Sequence, residues 1–393
     1  MKNISRASAL AGLALLTGLG TAHAAVQTRA FRQAFPAGTE VRLANLAGRV
    51  EIVKGQGNQV VVDATVHAEG RSAAETQQLL QGMKWVRSHD REGRDEWALS
   101  YPVEKIRSYH YPRENQKDEG PGFLSFLDNL SQTNTTYRGE RVKIYSKKRS
   151  SAPTLYANVK ITVPAGANLA MRNAVGKINA GNLDGTLGLR TGSGDVQVAS
   201  VAGALTINTG SGDVVVGSAR GETRINTGSG DVTVRRLVGN GAMETGSGDI
   251  VVQQVSAGKL SVNTGSGDVT VREGEAGRVI AGTGSGEVVV VGLDLEELTA
   301  ETGSGDVTVR SPLAKARRVV ASTGSGDVEI YAGPDASFKI QASQGSGDLS
   351  VGYGDAVLEK TRRGKVVGAQ RGDGRTSITV ETGSGDCSIS PRS

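Results

Sequence analysis

Thr191-Gly-Ser-Gly-Asp-Val196 is the stretch that decides the fold. It returns, intact or with one or two residues changed, from Thr209, Thr227, Thr245, Thr264, Thr283, Thr302, Thr323, Gln344 and Thr382. The nine steps are 18, 18, 18, 19, 19, 19, 21, 21 and 38 residues, and the last reads as two steps with one copy eroded. A near-constant period of this length marks a solenoid, in which each coil buries its apolar face only against its neighbours. Counting from the first Gly of each copy, positions +4 and +6 are pairs such as Val196/Val198, Ile250/Val252 and Val307/Val309. Positions −5 and −3 are pairs such as Leu205/Ile207, Leu260/Val262 and Leu298/Ala300. A spacing of two places each pair on one face of a strand. Every coil therefore carries two short strands around a Gly-Ser-Gly corner, with a looser second turn, as at Val201-Ala-Gly203, closing it. The two corner glycines permit backbone angles closed to other residues. Stacking aligns Ser193, Ser211 and Ser229 in a column where hydroxyls bond one another or turn amides.

The fold class predicted is all-β: a parallel β-solenoid of about 18–21 residues per coil, preceded by a small mixed α/β N-terminal cap. Gly is 55 of 393 residues, but it is periodic and alternates with Val, which excludes disorder as its explanation.

Residues 1–24 read as a signal peptide. Lys2 and Arg6 precede the apolar run Ala9–Leu19, and Ala22-His23-Ala24 fits a cleavage site. The run is too short for a transmembrane anchor, so export to the periplasm, the cell surface or the medium is expected. Cleavage removes two bases and no acid, which leaves 43 basic and 40 acidic residues of the original 45 and 40. That balance argues against nucleic acid as a partner. The only cysteine, Cys387, stands at an inward valine position and reads as a small buried residue.

Residues 25–165 form the cap. Val41–Val53 and Gln59–Val66 read as strands, Ser72–Gln81 as a helix capped by Ser72 with Ala73, Leu79 and Leu80 turned inward, and Met83–Arg87 and Glu96–Tyr101 as strands with Trp85 and Trp97 in the core. Within the cap, 104–151 is a polar insertion, read as a loop with a local aromatic cluster of Tyr109, Tyr111, Phe123 and Phe126; a partner-binding hook is the alternative. The solenoid occupies 166–393. Degenerate corners stand at Gly48-Arg-Val-Glu-Ile52, Val175-Gly-Lys-Ile178 and Arg363-Gly-Lys-Val366. Because the chain stops on the strand Cys387–Ile389, the C-terminal edge must be covered by the basic loop Lys360–Arg375, by a partner or by a second copy.

The Ser-Gly-Asp-Val corners, the export signal, the opening Asn45-Leu-Ala-Gly-Arg-Val-Glu-Ile52 and the lead-in Ile161-Thr-Val-Pro164 resemble the bacterial putative-adhesin family of β-strand-repeat proteins, domain of unknown function 4097. The resemblance covers nearly all of the mature chain. It carries no established activity and implies a binding or scaffolding role in the cell envelope.

The sharpest chemical feature is the acid that recurs at Asp195, Asp213, Asp231, Asp249, Asp268, Asp306 and Asp327, with Glu287, Asp348 and Asp386 in the same place. Carboxylates about 5 Å apart in one column repel by roughly 1 kcal/mol per pair even in water, so something offsets them. One candidate is Ca²⁺, held by carboxylate and carbonyl oxygens. The favoured reading is that turn amides donate to each acid and that outward Arg235, Arg272 and Arg310 balance the charge. On that reading the chain holds no metal and no cofactor.

Gly-Ser-Gly is not a nucleophile elbow. His67, His89 and His110 all precede the solenoid and lack metal-ligand spacing. Arg371-Gly-Asp373 matches an attachment tripeptide that arises easily by chance. Polysaccharide cleavage needs an acid–base pair in a groove, and here the acids form a regular column. The function expected is an exported, non-catalytic, adhesin-like binding or scaffold protein of the envelope, with an unidentified protein or polysaccharide partner and self-association through the C-terminal edge. An envelope-stress sensor whose ligand binds the cap is the alternative, and a polysaccharide-active enzyme is a third reading.

Overall fold

The computed structural model describes residues 26–36, 40–90, 92–112, 132–149 and 151–392. Residues 1–24, read above as a signal peptide, and the Phe123 and Phe126 part of the insertion lie outside them. The chain forms two compact units. One takes the chain up to Val198 together with Thr209–Gly212; the other takes Ala199–Asn208 together with Asp213 onward.

In the first unit the coil begins earlier than residue 166. Strands Val41–Ala47 and Val50–Lys54 meet at Gly48 and form a complete corner. They stack in parallel under Leu169–Val175 and Ile178–Asp184, with Leu43 beside Met171 and Ile52 beside Ala180. Two structures close the open edges of this first coil. Thr154–Val163 pairs with Val50–Lys54 in parallel and with Gln59–Glu69 antiparallel, and Gln59–Glu69 in turn pairs with Gln27–Pro36. On the other strand, Asp95–Leu99 of a hairpin sets Trp97 against Leu43.

The helix runs Ala73–Gly82. The Ser72 hydroxyl accepts from the Glu75 amide, and the buried residues are Thr76, Leu79 and Leu80, while Ala73 faces solvent. The tryptophans are not the core either. Trp97 is half-buried against Phe35 and under the Arg87 guanidinium, and Trp85 is half-buried. The core is built from Tyr101, Tyr109 and Tyr137, all at most 1% exposed, with Tyr101 edge-on to the other two. Two of these come from the expected loop. Its described residues form strands Ser108–His110, Gln132–Tyr137 and Glu140–Tyr145. Tyr109 is therefore not an exposed hook, and Tyr111 tilts against Tyr156.

The second unit repeats one coil. Strands Ile250–Thr264, Val269–Ser285 and Val288–Ser304 lie in continuous parallel register, so that Ile250, Val269 and Val288 stack, as do Leu260, Val279 and Leu298. All six are at most 1% exposed, as both period-two faces require. The second turn bends where Gln254, Glu273 and Gly292 take positive φ.

At the C-terminal end the order of coils in space departs from their order in the sequence. Thr376–Thr382 and Cys387–Pro391 pair with Arg318–Ser325 and Val328–Ala332. The preceding coil, Phe338–Gln344 with Leu349–Val351, stacks on their other side. The last coil is thus inserted, and residues 338–351 form the outer rung. The 38-residue step contains no eroded coil. It holds an antiparallel hairpin, Val357–Lys360 with Val366–Arg371, and Arg363-Gly-Lys-Val366 belongs to its turn rather than to a corner. Val366–Arg371 pairs antiparallel with Phe338–Gln344 and covers that edge.

Candidate functional site

Among the described residues the Gly-Ser-Gly corner is the feature that recurs from coil to coil. Its two glycines serve different ends. Gly248 has φ +128, which other residues rarely adopt. Gly246 has no such angle, but a Cβ there would lie 2.6 Å from the Gly228 carbonyl oxygen of the neighbouring coil. The first glycine is thus required by coil-to-coil approach and only the second by backbone angle.

Threonine, to which the repeat pattern alone assigns no role, closes the corner. Thr264 Oγ1 lies 2.9 Å from the Gly248 carbonyl of the neighbouring coil and 3.0 Å from Ser266 O in its own. Thr283, Thr302 and Thr323 repeat the contact to Gly267, Gly286 and Gly305 at 2.8–2.9 Å. These hydroxyls are buried, and they satisfy carbonyls that would otherwise be stranded at a tight bend. In the first unit Asn45 and Asn173 stand in the same register as Thr191. Asn45 Nδ2 donates to Ala157 O and Asn173 Oδ1, Asn173 Nδ2 donates to Gly48 O, and the Tyr101 hydroxyl donates to Asn45 Oδ1. The longer amide reaches into the cap as a threonine could not. Carrying the 18-residue register one step back from Thr191 would have found Asn173.

The acids do form a column, and hydrogen bonds occupy them. Asp213 Oδ1 accepts the Asp231 amide at 3.0 Å, Asp231 accepts Asp249 at 2.9 Å, Asp249 accepts Asp268 and Asp268 accepts Glu287, both at 2.8 Å. The donor is the amide of the next coil rather than one in the same turn. Among the described residues the series breaks at Glu287, whose longer side chain makes no such bond to Asp306. It resumes from Asp306 to Asp327, from Asp327 to Asp386 and from Asp386 to Asp348, following the order of the coils in space. In the first unit Lys177 Nζ lies 3.7 Å from Asp195. The expected arginines do not neutralise the acids: Arg310 packs over the Tyr331 ring, and Arg235 and Arg272 make no ion pair among the described residues. Nor do the corner serine hydroxyls bond one another among the described residues; the serine carbonyls accept glycine amides, as Ser247 O does from Gly230.

Burial raises the pKa of Asp231 above its ordinary value; the Asp249 amide opposes this, and the charges of Asp213 and Asp249 add to it. A carboxyl whose pKa is higher folded than unfolded favours the folded state most at low pH. That contribution fades as pH rises through the folded value. Asp231→Asn keeps an acceptor for Asp249 and removes the repulsion. It should raise stability at pH 7 by up to about 1 kcal/mol, the scale of one screened carboxylate pair. The gain should vanish in melts at a pH below the carboxylate range.

Among the described residues no group of three or more His, Cys, Asp or Glu converges so as to hold a metal ion. His67 stacks on Tyr156, His89 pairs with Asp95 at 3.0 Å, and His110 meets Thr154 at 3.0 Å. Cys387 is fully buried, and burial, with Asp386 and Asp327 adding to it, pushes its thiol up to about 11. Asp373 of the tripeptide bonds Ser337, and Arg371 is held by Asp355 at 2.8 Å. A shallow cleft of about 330 Å³ between Ser256–Gly258 and Lys315 carries an ion pair of Lys315 with Asp294 at 2.7 Å, and another of about 300 Å³ lies by Pro312 and Pro334. No helix among the described residues is long and apolar enough to cross a membrane.

Fold and corner define a parallel β-solenoid whose repeat residues build its wall. Residues 220–390 match the family described as Toastrack, domain of unknown function 4097, the family that the corners resemble. No curated protein matches the sequence. Similar solved structures include a putative lipid binding protein from Parabacteroides distasonis, 11% identical, with a TM-score of 0.33, covering 91% of this chain and 96% of that one. Another is a putative cell adhesion protein from Clostridium sporogenes, 10% identical, with a TM-score of 0.16, covering 93% of this chain and all of that one. Likenesses this distant carry no argument.

Proposed function

We propose that the chain is an exported, non-catalytic β-solenoid that binds or scaffolds in the bacterial cell envelope, in the periplasm or at the surface. The observation that carries this reading is the use made of the recurring acid. A carboxylate that accepts a backbone amide of the neighbouring coil is serving the fold. Here one oxygen of Asp213, Asp231, Asp249, Asp268, Asp306 and Asp327 accepts the next coil's amide. The acids hold coils together, and what the repeat offers a partner is the outward surface between the corners.

The test uses chain that begins at Ala25, immobilised and exposed to envelope extract, alongside fractionation of cells expressing the whole chain. Recovery of the chain outside the cytoplasm and saturable capture of an envelope component is the expected result. Turnover of a polysaccharide panel that a single acid substitution abolishes would overturn it in favour of an enzyme.

A further inference from the structure

The outward surface of the second unit repeats over two coils rather than one. Asp-Val-Thr-Val-Arg occurs at 231–235, at 268–272 and at 306–310. The coils between carry Asp249-Ile-Val-Val-Gln253 and Glu287-Val-Val-Val-Val291. In the folded chain Arg272 lies between Gln253 and Val291, and Val291 lies between Arg272 and Arg310. Val234 stacks on Val252, which places Arg235 beside Gln253. One straight row results: Arg235, Gln253, Arg272, Val291, Arg310, with a guanidinium at every second coil. The strand spacing sets these charges roughly 9.6 Å apart. Thr233, Thr270 and Thr308 stand two residues before each Arg, half-buried on the same face.

The three arginines are exposed, and none is held in an ion pair among the described residues. The row ends at Tyr331, whose ring lies 4.5 Å from the Arg310 guanidinium and whose hydroxyl donates to Glu329 at 2.9 Å. The corner acids lie four residues back along each strand, roughly 13 Å away. That exceeds the screening length of about 8 Å at physiological salt, so the acids do not cancel the row. Glu273 follows Arg272 directly but turns into the second bend with φ 57.

We propose that this row is a binding track for an extended anionic polysaccharide with one negative charge per disaccharide. A guanidinium grips a carboxylate or sulfate with two donors in a fixed plane. Two coils span about the length of a β-linked disaccharide, so successive charges on one face of such a chain meet successive arginines. The Thr hydroxyls are placed for sugar hydroxyls, and Gln253 and Val291 leave room for the uncharged ring. The inference rests on the proposed binding role and names its ligand class.

The experiment measures binding of the chain from Ala25 to hyaluronan, which carries one carboxylate per disaccharide. Neutral dextran and phosphatidylglycerol–phosphatidylcholine vesicles are measured beside it. Variants are R235S/R272S/R310S and Arg224→Ser, which removes an exposed charge off the row. Hyaluronan binding that weakens with salt, falls by roughly tenfold or more in the triple variant and is unchanged in Arg224→Ser, with no binding of dextran, is the expected result. Equal unfolding transitions of the two variants exclude a folding defect. Hyaluronan binding that the triple variant retains overturns the track. So does vesicle binding that the triple variant loses while hyaluronan never binds, which assigns the row to lipid headgroups. Envelope capture that persists undiminished in the triple variant, without hyaluronan binding, sinks the track and leaves the binding role standing.

Discussion

Ile340→Asp should unfold residues 338–371 and leave 376–391 folded. Ile340 is fully buried, with Ile378 as its neighbour on one side and Ala369 on the other. A carboxylate there must be stripped of water with no partner, at a cost of several kcal/mol. That cost exceeds what an end rung can supply, since end rungs contact one neighbour and open first. The rung Phe338–Gln344 with Leu349–Val351 should detach and take with it the hairpin that pairs with it. Thr376–Thr382 and Cys387–Pro391 should stay, because their other partners are Arg318–Ser325 and Val328–Ala332. Hydrogen exchange read by mass spectrometry decides the matter. Protection should disappear over 338–371 and persist over 376–391. Were coils stacked in sequence order, the last coil would rest on the damaged one, and both would exchange together.

The contrast shows what a repeat sequence encodes and what it leaves out. Period-two valines reveal the inward faces because side-chain alternation is local; Val269/Val271 and Leu260/Val262 need no knowledge of neighbours. The corner at Gly48 was equally legible, since Gly-Arg-Val-Glu-Ile repeats the local pattern. Stacking order is not local. Thr382-Gly-Ser-Gly-Asp386 has the same corner as Thr323-Gly-Ser-Gly-Asp327, so nothing in either says which coil it faces, and the inserted rung could not be read. The acids illustrate the same limit. Hydrogen bonding to amides was the right kind of partner, but the donor 18–21 residues away, 38 for Asp386 and Asp348, or 59 for Asp327 and Asp386, belongs to the stack. In the cap, composition misled. Trp85 and Trp97 are the largest side chains, yet Tyr101 and Tyr137 went inside because their hydroxyls found buried acceptors at Asn45, Ala47, Ala44 and Leu99.

A large effect from a single added methyl group should come from Gly267→Ala. A Cβ on Gly267 would lie 2.3 Å from Gly248 O and 2.8 Å from Asp249 Oδ1, at φ +122. Reaching ordinary contact would move the two coils apart by roughly an ångström at a bend where they are stitched twice. Asp249 Oδ1 accepts the Asp268 amide at 2.8 Å, and Thr283 Oγ1 meets Gly267 O at 2.8 Å. Backbone strain of about 1–3 kcal/mol and two weakened bonds of about 1 kcal/mol each place the expected loss near 4 kcal/mol. In a stack held by nearest neighbours, a break in mid-array uncouples the two sides. The urea transition of Gly267→Ala should therefore broaden or split as well as move to lower concentration. Gly265→Ala separates the causes. Its Cβ meets Gly246 O at 2.5 Å, but φ is ordinary, so only the steric part applies and the loss should be smaller. Gly354→Ala, with open space around it and no positive φ, should change stability by less than about 0.5 kcal/mol. Equal losses at Gly265 and Gly267 would mean that coil contact alone, and not backbone angle, keeps the second glycine in the corner.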